Sequence, residues 1–206
     1  MTIGSYIVGQ FKKPHGIVGR LAGWIMVNRP SNRERNSWTV NLLAIKPDER
    51  VLEIGCGPGY GLELCAGQLT DGSIVGIDHS ATMLDQARRR NRRHIDNGIA
   101  SLLCGGLECL ASLPYQFDKI FSANVAQFFP DKTQAFALIF NATAPGGTVA
   151  STFQPRSKNA TREIALDFAA DIKKNMETAG FKKIRIEELP LQPVPAVCIL
   201  GVRPVA

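Results

Sequence analysis

Two carboxylates and a run of glycines are the residues here whose types and spacing suit chemistry. Glu53 lies inside the apolar run Val51–Ile54, and Gly55, Gly57 and Gly59 follow at alternate positions. Asp78 ends a second apolar run, Ile74-Val-Gly-Ile, about 20 residues beyond the glycines. A carboxylate at the end of a buried strand can accept two hydrogen bonds from a vicinal diol such as a ribose. Glycine after a strand reaches backbone angles closed to other residues and lets a ligand lie against the main chain. A helix beginning beyond it offers free N–H groups. Together these read as a nucleotide-binding corner. The spacing excludes one version of it. The dinucleotide fingerprint G-x-G-x-x-G needs its third glycine three after the second. Counted from Gly55 that position is Tyr60, and counted from Gly57 it is Leu62. No pyrophosphate cradle is expected.

The elements that must position these residues follow from periodicity and breakers. Met1–Pro14 reads as loop and Ile17–Val27 as an apolar segment, too short to span a bilayer, which takes roughly 20 residues. Asn28-Arg-Pro-Ser31 breaks the chain, and Ser31 or Asn32 caps a helix over Arg33–Ala44. Strands are expected at Val51–Ile54, Ile74–Asp78, Ser101–Cys104, Phe117–Ser122, Thr148–Phe153, Phe181–Leu189 and Ala196–Val202. Helices are expected from Tyr60 to Leu69, after Ser80, over Asp131–Ala144 and over Thr161–Thr178, the last with Ile164, Phe168, Ile172 and Met176 on one face and Gly180 as its stop. Alternating strands and helices predict an α/β fold.

Glu53-x-Gly55-x-Gly57-x-Gly59 resembles motif I of class I methyltransferases dependent on S-adenosyl-L-methionine (SAM). His79-Ser80-Ala-Thr-Met83-Leu-Asp-Gln-Ala87, after Asp78, resembles the same family's D-x-S-x-x-M-L-x-x-A, and Ala144-Pro-Gly-Gly147 is another of its hallmarks. The resemblance covers roughly Arg50–Arg203. It implies a Rossmann-like, doubly wound, seven-stranded sheet, mostly parallel with an antiparallel C-terminal strand and helices on both faces. It implies SAM as cofactor, S-adenosyl-L-homocysteine as product and no metal. The cofactor-side residues it points to are Glu53, Gly55, Cys56, Gly57, Gly59, Asp78, His79, Met83, Gly106, Leu107, Glu108, Asn124 and Val125. Glu53 would help hold the cationic aminoacyl end, Met83 would pack on the adenine, and Asn124 would hold the methionine through its carbonyl. The family often has G-D-A-E-x-L-P-F where this chain has Gly105-Gly106-Leu107-Glu108, so an acid is missing at Gly106, and Glu108 is the candidate to replace it. Helices before the first strand cover the site in this family. Phe11, His15, Trp24 and Trp38 are thus acceptor-side candidates, with Phe128 and Phe129 from the segment after the fourth strand. For the tryptophans and phenylalanines the alternative is core packing. His15 and Gln127 are the candidates for a catalytic role at the acceptor.

The chain has 206 residues, enough for one domain, divided here into a basic arm or lid over 1–47 and a cofactor core over 48–206. The net charge is +6; seven basic residues precede Pro47 against Glu34 alone, and the remainder balances 17 with 17. A basic arm suits an anionic substrate, an acidic lipid surface or nucleic acid, or is simply a solvated face. Residues 11–35 could make peripheral membrane contact. Nucleic acid is disfavoured, since neither N-P-P-Y nor D-P-P-Y follows the fourth strand and no basic-aromatic interleaving is present. The run Arg88-Arg-Arg-Asn-Arg-Arg93 is read as a solvated complement to its helix dipole. Five cysteines without C-x-x-C spacing, and no secretion signal, predict reduced thiols in a cytoplasmic protein. The functional expectation is methyl transfer to a small-molecule acceptor at O, N, S or C, by a monomer or homodimer. The alternatives are a lipid-like acceptor, quinone or phospholipid headgroup, reached through the arm, and a SAM-binding protein without transfer activity.

Overall fold

The apolar runs pair side by side into one sheet in the computed structural model, which describes residues 30–205. Strands β1 (Arg50–Ile54), β2 (Ser73–Asp78), β3 (Ala100–Cys104), β4 (Phe117–Ala123) and β5 (Thr143–Phe153) are parallel. β7 (Ala196–Val202) inserts antiparallel between β5 and the edge strand β6 (Lys182–Leu189), so the order is β3-β2-β1-β4-β5-β7-β6. This is the doubly wound, seven-stranded sheet that was expected. The helices are α1 (Pro30–Leu43), α2 (Tyr60–Ala66), α3 (Ala81–Arg90), α4 (Arg92–Asp96), α5 (Lys132–Ala142) and α6 (Arg162–Ala179).

Successive strand residues point to opposite faces, so a strand covered on both sides must be apolar throughout. β1 shows this directly. Leu52 joins Val75, Ile120, Phe136 and Ile172 in one core, and Val51 joins Ile74, Phe121, Leu62, Val40 and Leu43 in the other. α1 thus shares a core with β1, β4 and α2, and lies on the same sheet face as α2. The sheet winds outward in both directions from β1 and β4. In open α/β sheets the ligand crevice lies at that reversal, outside the carboxyl ends of the strands. Glu53, Asp78 and Asn124 all stand at that edge.

Local capping follows the sequence in three places. Ser80 accepts from the Met83 N–H, Asp131 from the Gln134 N–H and Thr161 from the Ile164 N–H, and Gly180 closes α6 in the left-handed region with φ 108°. Four expectations are corrected. Ser31 and Asn32 lie inside α1 and cap nothing; Pro30 already belongs to the helix, where its missing N–H costs no bond in the first turn. α2 ends at Ala66, closed by Gly67. Ala144–Gly147 is no separate turn: it is carried within β5, where the pairing with β4 shifts register between Phe117 and Lys119. Finally, the buried stripe of α6 is Ala165, Ala169, Ile172 and Met176, whereas Ile164 is 42% exposed. Phe168 is half-buried and packs on the Phe153 ring at 4.1 Å.

That correction has a measurable consequence. Ile172→Ala leaves a cavity between α6 and the sheet, and in urea denaturation it should cost about 2–5 kcal/mol. Ile164→Ala should stay within about 0.5 kcal/mol of the parent, as exposed substitutions do.

Candidate active site

The glycine loop is a tight left-handed turn against two neighbouring elements. Gly55, Gly57 and Gly59 have φ of 69°, 51° and 77°. The Gly55 and Cys56 N–H groups both donate to the Ile77 carbonyl, at 2.8 and 2.9 Å, which fastens the loop to β2. A Cβ on Gly55 would stand 2.5 Å from a Val125 methyl, and one on Gly59 would stand 2.6 Å from Asn91 Nδ2. A Cβ on Gly57 would meet nothing within 4 Å. The outer glycines are therefore needed for close packing, while Gly57 lines open space. The Cys56 thiol is buried, and burial together with Glu53 pushes its pKa up, so it is an inert wall.

Asp78 ties the loop to the next strand. Its Oδ2 accepts from the Gly57 N–H at 2.8 Å and its Oδ1 from the Ser80 N–H at 2.8 Å. At 8% exposure it is nearly enclosed. Each carboxylate oxygen keeps a further acceptor position, which is what a vicinal diol requires. His79 is largely exposed, with Nδ1 3.9 Å from Asp78 Oδ1, and Met83 is buried in the first turn of α3.

Glu53 is 3% exposed, and its Oε2 finds no partner among the described residues. Its carboxyl lies against Gly61 in the first turn of α2, where any larger residue would collide with it. Burial, and after it the Asp78 charge, push its pKa well above the usual carboxylate range, and the Leu62 N–H pulls the other way. Gly61 is a site residue that the spacing argument passed over, because it belongs to the helix and not to the loop.

A 3₁₀ turn, Leu107–Ser112, follows β3. Glu108 folds back so that Oε1 accepts from the Gly106 N–H at 2.7 Å, and its own backbone N–H and then that of Gly106 lower its pKa. Its Oε2 would stand 2.6 Å from a Cβ on Gly106. The carboxylate of residue 108 therefore fills the space where a side chain at 106 would begin. Leu107 packs into the core.

After β4 the chain turns at Asn124, with φ 58°. Its side chain clasps β5 twice: Nδ2 donates to the Gln154 carbonyl at 3.1 Å, and Oδ1 accepts from the Gln154 N–H at 2.8 Å. The Asn124 carbonyl, expected to face a ligand, already accepts from Gln127 Nε2 at 2.8 Å, and Gln127 Oε1 is buried without a partner among the described residues. Gln154 Oε1 accepts from Arg35 Nη1 at 2.9 Å, which brings α1 into the same network. Phe128 is 52% exposed beside it. Phe129 instead turns inward onto Phe136, edge to face at 6.4 Å, and Trp38 packs with Leu42 and Ile45 against the α1 core, so both take the packing alternative. Phe11, His15 and Trp24 lie outside the described residues, as does most of the segment considered for membrane contact. No helix among the described residues is long and apolar enough to cross a membrane, and among them no group of three or more His, Cys, Asp or Glu is arranged to hold a metal.

The arginine run is corrected in part. Arg90 is half-buried, donates to the Pro58 carbonyl at 3.2 Å, pairs with Glu63 at 3.0 Å and covers the Tyr60 ring. Asn91 is fully buried and donates to the Gly59 and Ala87 carbonyls. Both brace the glycine loop from behind. In the sequence they were hidden within a pattern that also suits a solvated helix end.

The buried Glu53 predicts a pH dependence. Above the usual carboxylate range the unfolded chain releases a proton that native Glu53 keeps, so native stability falls as pH rises toward the raised native value. Glu53→Gln abolishes this loss. In urea denaturation the variant should match the parent near about pH 4 and exceed it progressively toward about pH 8.

Comparison with known proteins agrees with this geometry. Residues 51–147 match the model of the methyltransferase domain family. The chain is 33% identical over 184 residues to the uncharacterized methyltransferase YdaC of Bacillus subtilis, covering 89% of this chain and 98% of that one. It is 29% identical over 142 residues to trans-aconitate 2-methyltransferase of Variovorax paradoxus, where it covers 69% of this chain but spans only 52% of the relative. Among solved structures, phosphoethanolamine N-methyltransferase 2 of Haemonchus contortus in complex with SAM superposes with a TM-score of 0.67 at 17% identity, over 90% of this chain and 57% of that one. The sheet order, the glycine turn braced on Asp78 and the extended match to a methyltransferase over nearly its whole length lead to one conclusion: the chain belongs to the class I SAM-dependent methyltransferases.

Proposed function

We propose that the chain transfers a methyl group from SAM to a small-molecule acceptor, with the cofactor held across the carboxyl ends of β2, β1 and β4. The observation that carries this reading is the Asp78 carboxylate, buried and fixed by the Gly57 and Ser80 N–H groups beside a glycine that opens onto free space. Fixed by two backbone donors, it is preorganised to accept from a ribose diol. The residues present fit the cofactor in two further respects. The unpartnered Oε2 of Glu53 suits the cationic aminoacyl end, and the Glu108 carboxylate, standing where residue 106 would reach, suits the adenine amino group. The Gly106 departure is thus offset two residues along the chain.

When bound, SAM supplies an electrophilic methyl whose leaving thioether needs no acid. The chain's own task is then alignment and exclusion of water, which is proximity catalysis. Asp78 and Glu53 would set the ribose and the methionine arm. Asn124, clamped to β5, would present its turn toward the reacting end, with Gln127 poised to hydrogen-bond the acceptor through its buried Oε1. A base is needed only for an acceptor that loses a proton, and His15 remains its candidate. Support for a small acceptor comes from relatives that by name act on trans-aconitate and phosphoethanolamine, although the chain spans only about half of each. The five cysteines are free thiols, three of them buried (Cys56, Cys65 and Cys198), which supports a cytoplasmic setting.

Calorimetric titration with S-adenosylhomocysteine tests the reading. Two charge-assisted bonds lost in Asp78→Ala should weaken binding about 100-fold, and the one lost in Glu108→Ala about tenfold. Unchanged affinity in Asp78→Ala would sink the proposed cofactor placement.

A further inference from the structure

We propose that Arg35 anchors the carboxylate of an anionic acceptor at the carboxyl end of β5. The inference rests on the reading that SAM occupies the neighbouring edge of β2, β1 and β4.

Arg35 is 2% exposed. Burying a charge costs several kcal/mol unless an opposite charge compensates it. None of the ion pairs closer than 4.0 Å among the described residues includes Arg35. The preceding residues 1–29 contain no Asp or Glu at all, so that segment brings no side-chain counter-ion either. What holds Arg35 is neutral: Nη1 donates to Gln154 Oε1 at 2.9 Å, Nη2 donates to Asn32 Oδ1, and Nε has no partner among the described residues. The charge that acts on it is also positive. Arg156 adds to burial in lowering its pKa to about 9, which still leaves a cation at neutral pH.

The fork is held rigidly. Gln154, itself buried, donates Nε2 to the Val194 carbonyl at 3.0 Å and is locked to Asn124 through its backbone. A guanidinium so fixed is preorganised for planar recognition of a carboxylate. Its place is at the β5 side of the carboxyl edge. Asp78 ends β2, and β5 lies three strands away in the order β2-β1-β4-β5. At about 4.8 Å per strand that is about 14 Å. Through Gln154, Arg35 is tied to the chain just beyond β5, which Asn124 clasps from the end of β4. Arg35 Nε and Gln127 Oε1, a donor and an acceptor, are both buried without a partner among the described residues.

The test is calorimetry on the full chain, parent against Arg35→Met and Arg35→Lys. The probes are S-adenosylhomocysteine, 5′-methylthioadenosine, which lacks the methionine carboxyl, and, with S-adenosylhomocysteine saturating, a panel of mono-, di- and tricarboxylates that includes trans-aconitate. The expected result is a carboxylate that binds the parent complex, at least tenfold weaker binding in Arg35→Met, partial retention in Arg35→Lys, and unchanged affinity for both nucleosides. Three results overturn the proposal: a parent complex that takes up none of the panel, a carboxylate affinity that Arg35→Met leaves intact, or a loss confined to S-adenosylhomocysteine, which would assign Arg35 to the cofactor. A parallel fall for 5′-methylthioadenosine would mark a structural role and overturns it equally. If Arg35→Met does not fold, Arg35→Lys carries the same comparison. Failure of the parent to bind S-adenosylhomocysteine would instead strike the cofactor reading.

Discussion

The pair of hydrogen bonds that Asp78 accepts from Gly57 and Ser80 is the constraint on which the rest of the site depends. It joins the loop after β1 to the loop after β2, across a parallel pair whose ladder ends at Ile54 and Ile77. Without it the glycine turn would keep the Ile77 carbonyl, packing on Val125 and the Arg90 and Asn91 bonds behind it, but no tie to the loop after β2. The cost of the turn is the conformational freedom of three glycines, and it is offset by fixing a carboxylate at a strand end with its remaining acceptor positions directed away from the backbone.

Electrostatics divides the carboxyl edge of the sheet in two. On the β1–β2 side, burial and after it the Asp78 charge disfavour the charged form of Glu53. On the β5 side, Arg35 is buried near Arg156 and rests on neutral amides. Buried groups of one sign left unpaired weaken a fold, and apolar residues of similar size would usually serve stability better. Such placements are common where a ligand supplies the missing charge. Asn124 stands between the halves, clasping β5 with its side chain while its backbone turns with positive φ, a strained geometry that the two amide bonds maintain.

The braces behind the loop are less conspicuous but equally physical. Arg90 donates to the Pro58 carbonyl, and Asn91 adds a second bond to the Gly59 carbonyl, which also accepts from the Glu63 N–H. Arg33 and Arg90 both lie over the Tyr60 ring, so the first helix and the third meet across the start of the second. In this way α1, although it precedes the first strand, is part of the core and of the site's walls.

The sequence by itself determined the strands, the helices that begin after Ser80 and Asp131, and the glycine corner between two acids. Each of these depends on local rules: alternation of apolar residues, glycine where φ must be positive, an acid at a strand end. Tertiary structure decided what depends on residues distant in sequence. Only packing sends Phe129 and Trp38 into the core and leaves Phe128 outside, since aromatic composition is the same in either place. Only the fold brings Arg35 to Gln154 across 119 positions, Asn91 to Gly59 across 32 and Glu53 against Gly61 across a turn, because a hydrogen bond between segments leaves no periodic trace in either one. The missing acid at Gly106 lies between these cases. Its absence could be read from the chain, but the position of the Glu108 carboxylate depends on a 3₁₀ turn that folds it back over residue 106.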